Sequence, residues 1–268
     1  MKNKSENLKK ADYIIKNKEK LLSKRKKNKK IKRIVLLSII MLSTLITLCV
    51  KLPYFNIKNI EIIGNMNSSK AEINEAAKIE LGSNIFSASF IDSKKQIMKN
   101  PYVLGVKVNK VLPNKIRIQI EERVAVFYGK VDNIYYILDN RGILLEKRPD
   151  IKGMNLVNLI GFDYEKCEVG DPIVAEDDRK INIAKEITNI INDYRKTNSN
   201  SNITMVDVSN VLDVKVFSGE MCIKFGTTED LKNKFNKAIN IITQPEYKNK
   251  KGYVDISFKG APVIFIEK

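Results

Sequence analysis

Between Ile34 and Val50 the chain runs for seventeen residues, IVLLSIIMLSTLITLCV, without one charge. As a helix that stretch is about 25 Å long, the short end of what crosses the hydrocarbon core of a bilayer. A helix buried in a soluble core rarely lacks any polar face. A cleaved signal peptide would carry a shorter apolar region, about 7–15 residues, and end in a small-x-small site. Here the exit reads Thr47-Leu48-Cys49-Val50-Lys51-Leu52-Pro53, with no small pair to cut. Bulky Leu48 also stands before Cys49, where lipoprotein processing needs a small residue. The stretch reads as an uncleaved transmembrane helix over residues 34–52.

The flanks orient it. A net charge of +17 suggests a nucleic-acid binder until the charge is located. Residues 1–33 hold fifteen Lys and Arg against Glu6, Asp12 and Glu19, a net of +12. The run from Lys24 to Arg33 abuts the apolar stretch, whereas only Lys51 and Lys58 lie just beyond it. Positive charge stays on the cytoplasmic side. The sequence therefore predicts a basic cytoplasmic tail over 1–33, with anionic lipid beside it, and an extracellular or periplasmic body of about 218 residues. Nucleic acid is not expected as a partner.

The body opens on an alternating strand, Phe55 to Ile63, closed by a Gly64-Asn65 turn. Ser69-Lys70-Ala71-Glu72 is a capping box, followed by a helical face of Ile73, Ala76, Ala77 and Leu81, with Gly82 placed to stop the helix. A second helix places Phe90, Ile91, Ile97 and Met98 together and leaves Ser93-Lys94-Lys95 as its wet face. Asn100-Pro101 ends it, because the residue before proline avoids helical angles. Two period-two strands follow, one carrying Tyr102, Leu104, Val106 and Val108, the other Ile116, Ile118 and Ile120. The order is strand, helix, helix, strand, strand.

The remainder is rich in strands. Ile134–Leu138 and Ile143–Glu146 form a hairpin across Asp139-Asn140-Arg141-Gly142, and Leu156 to Gly161 is a short apolar run. A helix is predicted from about Glu176 to Tyr194, with Ile183, Ile187, Ile190 and Tyr194 inward. Strands at Ile203–Ser209, Leu212–Phe217 and Met221–Phe225 precede a helix beginning near Thr228, with Leu231, Phe235, Ala238, Ile239 and Ile242 at core spacing. Two closing strands are Tyr253–Phe258 and Pro262–Ile266.

The strand–helix–helix–strand–strand order matches a POTRA domain. The wording Ile57-x-x-Ile60-x-Ile62-x-Gly64-Asn65, Gly82-x-Asn84-Ile85-Phe86, Asn100-Pro101-Tyr102-Val103, Leu112-Pro113-Asn114 and Glu122-Arg123 resembles the FtsQ/DivIB cell-division family. Asp139 and Gly142, and Tyr253-Val254-Asp255-Ile256, resemble the β-domain of the same family. The resemblance implies an α+β chain: a transmembrane helix, a POTRA domain over 53–125 and a mixed β-domain over 126–268. It implies a non-enzymatic divisome scaffold, single-pass in the cell membrane, that helps control septum formation. It further implies that Tyr253, Val254, Asp255, Ile256 and Phe258 bind small coiled-coil partners resembling FtsB/DivIC and FtsL, by strand addition.

Two other readings must be set beside it. A chain without His has no Ser-His or Cys-His pair and few routes to a zinc site, and Cys49, Cys167 and Cys222 show no C-x-x-C spacing. Adjacent acids such as Glu121-Glu122 and Asp177-Asp178 cannot converge on one bond, since neighbours on a strand face opposite ways. No G-x-x-x-x-G-K, G-x-S-x-G or S-x-x-K motif stands where a helix would begin. An anchored cell-wall enzyme is thereby disfavoured, and no catalytic, metal or cofactor residue, cofactor or small-molecule substrate is expected. A POTRA-bearing export or assembly factor would usually carry several POTRA repeats or a barrel, and there is one unit here. Cys167 and Cys222 are left either as a disulfide or as two thiols.

Overall fold

The computed structural model describes residues 11–13, 15–16, 18–173, 177, 179–197, 202–248 and 250–267. The predicted helix start at Glu176, Asp178 of the acidic pair, part of the 197–202 loop and the first ten residues of the tail lie outside them. Two compact units are formed, one of Met1–Glu61, Glu80–Ser89 and Asn109–Arg117, the other of Ile62–Ile79, Phe90–Val108 and Ile118–Lys268. The architecture is α+β: an apolar helix, a small sheet with two helices, and a large mixed sheet.

The first helix, α1 (Lys18–Lys51), continues unbroken from the basic run through the apolar stretch. The hydroxyls of Ser38, Ser43, Thr44 and Thr47 donate to carbonyls three or four residues earlier. The hydroxyls of the apolar stretch are thus satisfied within the helix, as hydrocarbon requires. A single 3-10 turn, Pro53–Phe55, follows.

Strands β1 (Asn59–Ile63), β2 (Val103–Val111) and β3 (Lys115–Glu122) form the small sheet in the order β1-β3-β2. Ile116, Ile118 and Ile120 are all buried, as their alternation predicts. Helix α2 (Lys70–Ala77) starts on the predicted capping box: Ser69 Oγ accepts from the Glu72 N–H and Glu72 Oε2 from the Ser69 N–H. It ends one turn before the predicted Gly82 because Lys78 adopts left-handed angles, φ 48°. Leu81 is consequently exposed instead of lying on the core face. Helix α3 (Ile91–Ile97) buries Ser93 and Ile97 and exposes Ile91 and Met98, so its inner face is rotated from the predicted one. On β2 the buried residue is Val103, while Leu104, Val106 and Val108 are half-buried. Gly64 at φ 84° is needed for proximity: a Cβ there would stand 2.2 Å from the Ile120 carbonyl oxygen.

The Glu122-Arg123 pair has a structural use. Glu122 accepts from the backbone N–H groups of Asn67 (2.7 Å) and Ser68 (3.0 Å), pinning the turn beyond β1. Burial pushes its carboxyl up, but these N–H donors outweigh that and hold it below the usual carboxylate range. Arg123 Nη1 meets Asp139 Oδ2 at 2.8 Å, with side chains only 19% and 3% exposed.

Among the described residues nine strands make the large sheet: β4 (Ala125–Val131), β5 (Ile134–Asp139), β6 (Leu144–Arg148), β7 (Val157–Ile160), β8 (Ile203–Asp207), β9 (Val214–Ser218), β10 (Met221–Gly226), β11 (Gly252–Asp255) and β12 (Val263–Ile266). Their spatial order is β12-β11-β10-β9-β8-β7-β4-β5-β6. Three neighbouring pairs are parallel: β7–β8 and β10–β11 are crossed over through helices α4 (Arg179–Thr197) and α5 (Leu231–Ile242), and β4–β7 through the β5–β6 hairpin. α5 buries Leu231, Phe235, Ala238, Ile239 and Ile242, all five as predicted. α4 buries Ile183, Ala184, Ile187, Thr188 and Ile191, a slight rotation from the predicted Ile190 and Tyr194. Strand β4 is absent from the sequence reading, and Leu212, predicted in a strand, is exposed before β9 begins. Cys167 and Cys222 carry free thiols, the first buried and the second half-buried.

Candidate partner-binding edge

The predicted partner-binding residues converge on one end of the large sheet, but not as its edge. Tyr253, Val254 and Asp255 lie in β11, which pairs in parallel with β10 (Cys222↔Tyr253, Ile223↔Val254) and antiparallel with β12 (Tyr253↔Phe265, Val254↔Ile264). Both sides of β11 are therefore occupied, and a strand cannot add to it. Val254 and Ile256 are buried in the core, and the Ile256 N–H donates to the Lys224 carbonyl at 3.0 Å. Only Phe258, in the loop towards β12, is broadly exposed among the five.

The edge is β12. Its register identifies which backbone groups remain outward. Glu267 N–H donates to Lys251 O at 2.8 Å across a pairing in which Gly252 faces Ile266. Hydrogen-bonded and non-bonded pairs alternate along an antiparallel ladder. Val263, Phe265 and Glu267 thus direct their N–H and C=O groups at β11, and those of Ile264 and Ile266 point away from the sheet. Side chains alternate as well. Phe265 is 50% exposed and stacks on Tyr253 (centroids 5.3 Å, 23°), and Lys224 Nζ stands 3.8 Å over the Tyr253 ring. Val263 is 47% exposed beside Asp255. Burial pushes the Asp255 carboxyl up, but donation from the Ser257 hydroxyl and N–H, with Lys224 nearby, holds it below the usual range.

What this arrangement can do is bind an extended segment through its backbone, beside a shallow aromatic ledge capped by a cation. Of the five residues expected from the sequence, Tyr253 lies in this ledge beside Phe265, whereas the outward backbone groups belong to Ile264 and Ile266 of the closing strand, which the sequence reading placed at the same end without naming them as binding residues. The signal was there: four consecutive apolar residues after Pro262 fit a strand whose two faces and edge are not yet all covered.

A family model, "POTRA domain, FtsQ-type", matches residues 55–123, the region of the small sheet. Cell division protein DivIB of Clostridium botulinum strain Hall is 43% identical over 91% of this chain and 94% of the relative. DivIB of Clostridium tetani is 38% identical over 86% of each chain. DivIB of Bacillus subtilis is 36% identical over 50% of this chain and 52% of its own. With one helix apolar and long enough to span among the described residues, the chain is a single-pass membrane protein, and it belongs to the FtsQ/DivIB family of cell division proteins.

Proposed function

We propose that the chain is a non-enzymatic scaffold of the division machinery, with its N-terminus in the cytoplasm and both sheets outside the membrane. It gathers small coiled-coil division proteins of the FtsB/DivIC and FtsL kind and so helps time septum formation. The observation that carries this reading is β12: an apolar edge strand whose outward N–H and C=O groups have no strand beyond them among the described residues. An exported segment of the partner adds there as a further strand, with its side chains over Tyr253 and Phe265. The Lys and Arg run before the span supports the orientation.

The test uses the tagged full chain in its own membranes. Wild type should co-purify a coiled-coil division protein. Val263→Lys, which puts a charge on the bare edge, should lose the partner while keeping cellular abundance and melting temperature. Retention of the partner by a folded Val263→Lys chain would remove β12 from the interface. Protease added to the same cells, stripped of wall, should spare only a fragment of about the first fifty residues; digestion from the N-terminal side would reverse the orientation.

A further inference from the structure

The apolar stretch of α1 is about 25 Å long, roughly 5 Å short of the hydrocarbon thickness it must match. A short span is accommodated by a thinner bilayer or by flanking groups that continue the apolar surface into the interface. The residues beyond α1 have that character. Leu52 and Tyr54 are exposed, Tyr54 packs edge-on against Phe55 (5.2 Å between centroids), and Phe55 in turn packs against Phe86 (5.2 Å).

Phe86 comes from a loop some thirty residues further along, and the loop is tied to the end of the span. Asn84 Nδ2 donates to the Cys49 carbonyl at 3.0 Å, the Ile85 N–H to Phe55 O at 2.9 Å, and the Ile57 N–H to Ser83 O at 2.9 Å. Cys49 lies inside the uncharged stretch, so Asn84 reaches a backbone group in the span's own last turn. In keeping with this, Cys49 is half-covered while the rest of Ile34–Val50 is exposed. Lys110 Nζ donates to the Phe86 carbonyl at 3.2 Å, bringing a cation to the same level, and Lys51 and Lys58 are exposed nearby in sequence. The span, the loop 80–89 and the segment 109–117 form one compact unit.

We infer that the Asn84–Phe86 loop rests on the phospholipid surface at the C-terminal end of α1, with Tyr54 and Phe86 at the headgroup–acyl boundary and Lys51, Lys58 and Lys110 among the phosphates. Aromatic rings favour that depth, and lysines extend their charge outward from it. Lipid is the occupant because the patch continues directly from a helix that is itself lipid-covered, and because the span needs additional apolar length at this end.

The inference rests on reading α1 as a membrane span, and one experiment separates the two. The chain has no Trp, so each substitution installs a single reporter. Full-length Phe86→Trp and Leu42→Trp chains are reconstituted in phosphatidylethanolamine–phosphatidylglycerol vesicles, with and without lipids brominated near the top of the acyl chains. Ser87→Trp, which keeps the Phe55–Phe86 contact, reports the same loop should Phe86→Trp fail to fold. The expected result is blue-shifted emission and strong quenching from the loop, independent of the protein-to-lipid ratio. A quenched Leu42→Trp beside a water-like, unquenched loop overturns the inference and leaves the span standing. An unquenched Leu42→Trp overturns the span and the inference together. Loop quenching that falls as protein is crowded into the vesicle marks contact between copies and also overturns it.

Discussion

The large sheet ends in two edges, and the chain treats them in opposite ways. At β6 the edge is closed by the chain itself. The Leu144 N–H donates to Asp171 O (2.9 Å), the Gly170 N–H to Leu144 O (2.8 Å) and the Ile173 N–H to Gly142 O (2.8 Å), so a loop lies along the strand's first half. A register shift breaks the β5–β6 ladder between Ile137 and Leu138. The second half carries Glu146, Lys147 and Arg148, and Glu146 accepts from the Tyr102 hydroxyl at 2.9 Å. Cover, bulge and charge are the devices by which proteins prevent unwanted strand pairing. At β12 all three are missing: the ladder to β11 runs without a shift, Val263–Ile266 bears no charge, and no strand lies beyond it among the described residues. The contrast supports the proposal that a partner strand occupies the second edge, which is left apolar and regular.

The largest effect is expected from breaking the closed edge. Asp139 pairs with Arg123 and also accepts from the N–H groups of Arg141 (2.7 Å) and Ile143 (2.8 Å), the turn on which the covering loop docks. Asp139→Ala leaves a mostly buried guanidinium and two turn amides without their acceptor, a loss of about 3–5 kcal/mol. The melting temperature should drop steeply, and amide exchange should accelerate first at Leu144, Gly170 and Ile173. Unchanged protection at those amides would mean that the loop, not the turn, holds the edge shut.

How much of this contrast could be read beforehand depended on whether a feature was local. The capping box, the Ile116–Ile118–Ile120 face and the five inward residues of α5 follow from spacing alone, and each stands as read. The helix ends at Lys78 and Asp230 do not, because non-glycine residues there take left-handed angles that no sequence rule requires. Strand order is a tertiary property. Tyr253–Asp255 has the alternation of an edge strand, yet it is inside because β12 folds back onto it and α5 carries it parallel to β10. β4 was unreadable for the same reason: its partners, β5 and β7, lie on either side of it in space, and one of them is nearly thirty residues away in sequence.

A smaller loss should follow from prising β12 away without touching its own residues. A Cβ on Gly252 would stand 2.0 Å from the Phe265 carbonyl oxygen, a backbone atom that cannot rotate aside. Gly252→Val should cost about 1–3 kcal/mol as β12 is displaced. Exchange should quicken at Tyr253 and Phe265 while α5 and β8 remain protected. If partner co-purification survives in this variant, the last strand is dispensable and binding belongs to another face.

The smallest effect on stability should be the most informative about function. Ile264 points its N–H away from the sheet, whereas Phe265 points its own at β11. Proline lacks that N–H and is tolerated on an edge only where the amide faces outward. Ile264→Pro and Ile264→Ala both remove a side chain that is 36% exposed, so each should cost roughly 1–2 kcal/mol and melt alike. They differ in one backbone donor. An incoming strand must accept from that donor, so Ile264→Ala should still co-purify the coiled-coil partner and Ile264→Pro should not. Phe265→Pro, by contrast, breaks a bond to β11 and should destabilise the sheet outright. Equal partner recovery from the two Ile264 variants would show that the edge is read through side chains, and would move the interface to the Tyr253–Phe265 ledge.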